Sequence, residues 1–131
     1  MTPYSYVKDT NLWLDPLGLE NWGDYLRRIS GTEPPPGMVN PHAHHIVFKV
    51  GHPNQQGVLN QSKAILKKHG IDYLHGVENL VWAPNKNHSL KAAERVLEAL
   101  KKADTEKGTR EAVVDALQDM GKKFANGTIC D

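Results

Sequence analysis

At 131 residues, with 39% hydrophobic and 24% charged side chains, the chain has the make-up of one folded domain and too much apolar content for a disordered segment. A formal net charge of +1 leaves no bulk polycation, and no run approaches the roughly 18 consecutive apolar residues of a membrane span. The single cysteine, Cys130, excludes an internal disulfide and a cysteine-rich zinc site, and its place beside the last residue argues against thiol catalysis. Seven histidines against two phenylalanines is the unusual feature of the composition.

In residues 1–19, Tyr4, Tyr6, Val7, Leu12, Trp13 and Leu14 alternate with polar residues before Asp15-Pro16 and Gly18, which reads as an extended strand followed by a turn. Asn21 then caps a short helix through about Ile29, with Trp22, Tyr25, Leu26 and Ile29 on its apolar side. The run from Gly31 to Gly37 holds three consecutive prolines and reads as a stiff extended linker. A domain boundary is drawn there. The first 36 residues are slightly acidic and the remainder slightly basic, which permits an anionic ligand in the second part.

From Met38 the character changes. The stretch His42–Val50 is rich in β-branched residues and reads as a strand ended by Gly51. Residues 56–69 follow a helical pattern, and Gly70 is placed to be the left-handed residue after it, with Ile71 closing the hydrophobic contact. A turn is expected near His75-Gly76, then a short buried strand Leu80-Val81-Trp82 ended by Pro84-Asn85. Helical spacing recurs over 88–102 through Leu90, Ala93, Leu97 and Leu100. It returns over 109–124 through Val113, Leu117, Met120 and Phe124, after a break at Gly108. The order predicts an α+β fold, mainly helical.

Adjacent residues on a strand point to opposite faces. His44 and His45 therefore meet at one site only where the strand edge wraps around it, one ring holding a metal and the other facing a water beside it. Neutral imidazole is suited to both tasks near pH 7. His88, opening the next helix, reaches the same point once that helix packs on the strand pair. His42 shares a face with His44; it reads first as an exposed histidine, with contact to a metal or a phosphate as the second reading. His52, His69 and His75 fall at turns and a helix end, Trp82 reads as core, and Lys63, Lys67 and Lys68 as a solvated face.

The sequence Ala43-His44-His45 resembles the signature of the AHH nucleases, a branch of the HNH and endonuclease VII (His-Me finger) superfamily. The likeness continues through Gly70-Ile71-Asp72, Asn79-Leu80-Val81-Trp82-Ala83-Pro84-Asn85 and His88, so it covers about residues 38–100. It implies a ββα-metal core with flanking helices, in which two strands and a helix grip one divalent cation. By the same resemblance His44 and His88 are metal ligands and His45 is the general base. Asn79 ties the loop that holds His45 in place. Many HNH nucleases carry a further histidine one helical turn after the position of His88; here Ala92 stands there. Two protein ligands would suit magnesium or manganese better than zinc. Asn85 or Asn87 could add an oxygen donor.

Residues 4–19 resemble the end of an Rhs-repeat core, whose Asp-Pro-x-Gly-Leu junction corresponds to Asp15–Leu19 and implies cleavage after Leu19. Three parts are thus expected: 1–19 as the end of an Rhs shell, 20–37 as a short helix and linker, and 38–131 as the nuclease domain. Together the resemblances imply a polymorphic toxin that hydrolyses phosphodiester bonds, delivered by type VI secretion into the cytoplasm of a target cell. DNA is the favoured substrate and RNA the alternative; a cognate immunity protein is implied, and no membrane contact. A non-catalytic zinc-binding interaction module using the same histidines is the reading from a different class.

Overall fold

A computed structural model of the protein describes residues 21–131. The strand expected in residues 1–19 and the junction at Leu19 lie outside the described residues. Helix α1 spans Trp22–Ser30, and the Asn21 side chain accepts the Asp24 N–H at 2.8 Å to satisfy its first turn. Strand β1 covers Pro41–His45, a 3₁₀ turn covers Pro53–Gln55, and α2 runs over Gln56–Lys68. A second 3₁₀ turn, Val77–Asn79, leads into β2, Leu80–Pro84; α3, Leu90–Glu106, and α4, Arg110–Asn126, complete the chain. The fold is α+β and mainly helical, with β1 and β2 paired antiparallel as the only sheet among the described residues.

The end of α2 follows the expected pattern. Gly70 adopts a left-handed φ of 73°, and the Ile71 N–H donates to Leu66 O at 2.9 Å, which puts Ile71 and Leu66 together in the core. Two expectations are corrected. The strand anticipated over 42–50 stops at His45, because the next amides are taken by Asn79: Ile46 N–H donates to Asn79 O and Val47 N–H to Asn79 Oδ1, both at 2.8 Å. Ile46, Val47 and Phe48 are buried all the same, so their apolar character reflects the core rather than a ladder. His88, anticipated as the opening residue of a helix, precedes α3. Ser89 is the N-cap, accepting the Ala92 N–H at 3.1 Å.

Register explains which face each histidine takes. His42 lies opposite Ala83 and His44 opposite Val81, while Ala43 pairs with Trp82 and His45 with Leu80. The first face packs into the main core, where α4 comes so close that a Cβ on Gly121 would sit 3.2 Å from Ile46 Cδ1. The second face is covered by α1: Ala43, Leu80 and Trp82 form a separate cluster with Leu26, flanked by Trp22, Tyr25 and Met38. The Trp82 indole N–H also donates to Thr32 Oγ1 at 3.0 Å. The segment read as a helix and linker before the domain is therefore packed against its sheet.

A deletion test follows from that packing. Removing residues through Leu19 takes away none of the described members of either cluster, whereas removing residues through Gly37 strips Leu26 and its aromatic flanks from the sheet. At about 1.5–3 kcal/mol per large apolar side chain, the longer deletion costs several kcal/mol. Urea unfolding of the two chains measures it; equal midpoints would return the start of the domain to Met38.

Candidate metal centre and active site

Three imidazoles converge on one side of the sheet. Ligand nitrogens of His42, His44 and His88 all lie within 4.8 Å of one another. His42 and His44 meet because they are two residues apart on β1. His88 meets them because Gln55 holds its backbone: the buried Gln55 side chain donates to His88 O at 2.8 Å and accepts the His52 N–H at 3.0 Å. Asn87, just before, takes a left-handed φ of 68°, which asparagine tolerates better than most residues.

His44 sits at the bottom, 1% exposed, with its ring against Phe48 and Phe124 at centroid separations of 5.7 and 4.2 Å. Neither of its ring nitrogens has a hydrogen-bond partner among the described residues. A buried polar atom without a partner is costly, and a ligating atom is one group for which a cation supplies what hydrogen bonding does not. Desolvation first, then the charges of His88, His42 and His45, push its pKa down to about 2, so the ring is neutral and its lone pair free at physiological pH. Burial likewise lowers His88, with His42 and His52 adding to the effect. His42 Nδ1 lies 2.9 Å from the carbonyl oxygen of Ala83, its cross-strand partner. A carbonyl can only accept, so Nδ1 carries the proton and Nε2 keeps the lone pair, the arrangement common for metal-bound histidine. The donor set fits a divalent cation.

His45 is on the opposite face, 6% exposed, against the edge of the Trp22 ring at a centroid distance of 4.6 Å. Its Nε2 donates to Leu74 O at 2.9 Å, so Nε2 carries the proton and Nδ1 is the basic atom. Desolvation lowers its pKa to about 4, opposed by the Leu74 hydrogen bond and reinforced by Lys49. A cavity of about 360 Å³ touches both faces, lined by His42 and His88 from the cluster and by His45, Trp22 and Lys49 from the other side. Residues on opposite faces of one strand thus share a single opening.

Asn79 is fully buried. Besides holding Val47 N–H, its Nδ2 donates to Val47 O at 3.1 Å and to Tyr73 O at 2.7 Å, tying the loop after β1 to the segment before β2. Asn85 lines the cavity, whereas Asn87 does not; it acts through the backbone that presents His88. From the sequence His42 reads first as an exposed histidine, and the AHH resemblance implies two protein ligands. The structure brings His42 into the cluster as the third. Gln55, Trp22 and Lys49 at the same opening carried no local signal beyond an ordinary polar residue, a helix's apolar side and a surface cation. No family model matches the chain, and no curated protein or solved structure is significantly similar to it.

Buried neutral imidazoles make stability depend on acid. In the unfolded chain histidine titrates near 6.5, whereas folded His44 and His45 bind protons only near pH 2 and 4. Below pH 6.5 the unfolded state holds more protons, so stability is full above that pH and falls as the solution is acidified toward 4. Urea midpoints measured in chelator should decline between pH 7 and 5, before most carboxylates titrate. A flat profile over that window would mean these rings are protonated in the fold.

Proposed function

We propose that the chain is a metal-dependent endonuclease that hydrolyses phosphodiester bonds, and that it acts as the toxic part of a larger effector. The observation that supports this reading is the cluster of His42, His44 and His88, two of which, His42 and His88, line the same opening as His45, whose hydrogen bond to Leu74 leaves Nδ1 as its lone pair. His42, His44 and His88 would hold the cation. When bound there, it supplies Lewis-acid stabilisation of the charge that builds on the phosphate and the departing oxygen. His45 takes the proton of the attacking water at Nδ1. Lys49, at the rim with its Nζ 5.8 Å from the Trp22 ring centroid, adds a positive charge beside the phosphate's approach. A donor set of three nitrogens favours a transition ion such as manganese or zinc over magnesium, which prefers oxygen ligands. DNA is the favoured substrate; the toxin role, secretion and a cognate immunity protein rest on the resemblance of residues 4–19 and of the AHH motifs.

The test is incubation of the full chain with supercoiled plasmid and with total RNA, each in magnesium, manganese, zinc or chelator. Plasmid cleavage that chelator abolishes, with circular dichroism unchanged, is the expected outcome. Unfolding on chelation with no cleavage in any metal would instead make this a structural zinc module. Cleavage of RNA alone would move the substrate. His88→Ala should shift the metal titration to higher concentration, with activity partly restored by excess metal; an unshifted titration would return His88 to an ordinary loop residue.

A further inference from the structure

The Gly70-Ile71-Asp72 motif ends a helix and also opens a turn. Asp72 opens a tight turn in which its Oδ1 accepts two backbone N–H groups, Leu74 at 2.8 Å and His75 at 3.0 Å. The Gly76 N–H closes the turn on Asp72 O at 2.9 Å, and a Cβ on Gly76 would lie 2.5 Å from that oxygen, so only glycine fits there. Three successive carbonyls point outward from this turn, and each accepts from a different element. Tyr73 O accepts from Asn79 Nδ2 at 2.7 Å, Leu74 O from His45 Nε2 at 2.9 Å, and His75 O from the Tyr25 hydroxyl at 2.7 Å.

We propose that this turn is the device that sets the tautomer and direction of the His45 ring, and that Asp72 and Tyr25 are positioning residues acting through it. The inference rests on the reading of His45 as general base. The peptide unit joining Leu74 to His75 donates its N–H to the Asp72 carboxylate and accepts His45 Nε2–H on its carbonyl. One rigid plane therefore lies between an anion and the imidazole. Hydrogen bonds in such a chain polarise one another, so the carboxylate makes Leu74 O a stronger and better aimed acceptor. Backbone bonds from His75 and then Leu74 keep the Asp72 carboxyl below its ordinary pKa, so it is charged at neutral pH. The effect is that of an aspartate orienting a catalytic histidine with one peptide unit inserted between them. From the other side, Tyr25 on α1 holds the next carbonyl, while α1 also sets Trp22 against the His45 ring. This gives α1 a task at the site beyond covering the sheet.

The experiment reads the His45 ring nitrogens by NMR at pH 8, together with plasmid cleavage and metal titration, in the full chain and in Asp72→Ala, Asp72→Asn and Tyr25→Phe. Wild-type His45 should show the Nε2–H tautomer alone. Asp72→Ala should show mixed tautomers and a kcat lowered about 10- to 100-fold, with KM and metal affinity unchanged. Asp72→Asn keeps the two acceptor bonds and should restore the single tautomer and most of the rate. Tyr25→Phe removes one hydroxyl without emptying the cluster, and decides the matter should Asp72→Ala fail to fold; it should broaden the tautomer mixture with a smaller rate loss. A pure Nε2–H ring in Tyr25→Phe and in every folded Asp72 variant would overturn the proposal, as would losses of rate and metal affinity in step. If the wild-type chain cleaves nothing, the nuclease reading fails while the ring-nitrogen signals still decide the positioning.

Discussion

His45→Ala is expected to cleave nucleic acid about 100- to 10,000-fold more slowly than the wild-type chain, the usual worth of a positioned general base. The variant should keep its metal affinity, because His45 lies on the face of β1 opposite His44 and is not part of the His42, His44 and His88 cluster. Its ring fills space against Trp22, so some loss of melting temperature is expected as well. Single-turnover cleavage at saturating metal separates the effects. Near-normal rates would remove His45 from the chemistry. A rate restored by added metal would make it a ligand instead.

His44→Leu should have opposite consequences for binding and for stability. Wild-type His44 is buried among Phe48 and Phe124 with both ring nitrogens lacking partners among the described residues. Leaving such a group unsatisfied costs about 1–3 kcal/mol, and an apolar side chain of similar size relieves that cost. In chelator the variant should therefore be more stable than wild type by up to about that amount. With metal present the order reverses: only the wild type gains stability as the ion binds, and only the wild type cleaves. Urea unfolding with and without manganese or zinc gives all four values. A variant that is less stable in chelator yet still stabilised by metal would make His44 an ordinary packing residue.

Much of the architecture was legible in the chain because its signals are local. Asn21 and the apolar spacing of Trp22, Tyr25 and Leu26 mark α1, and the Gly70-Ile71 pair marks the end of α2, since a cap and a left-handed residue act within one turn. The opposed faces of His44 and His45 follow from strand geometry alone. The β-branched, apolar character of the stretch through Ile46, Val47 and Phe48 was also readable, but not its departure from the ladder, which depends on Asn79 capturing the Ile46 and Val47 amides from across the chain.

The sequence by itself determined where the helices lie, that the histidines cluster around one strand, and which two of them point apart. Only the tertiary structure decided that His42 joins His44 and His88, that Gln55 holds the loop carrying His88, and that α1 belongs to the site through Trp22 and Tyr25. Local spacing records a residue's neighbours along one helix or strand. These contacts instead depend on how β1 registers against β2 and on which helix each face of that sheet buries, and those choices are made by the whole core at once.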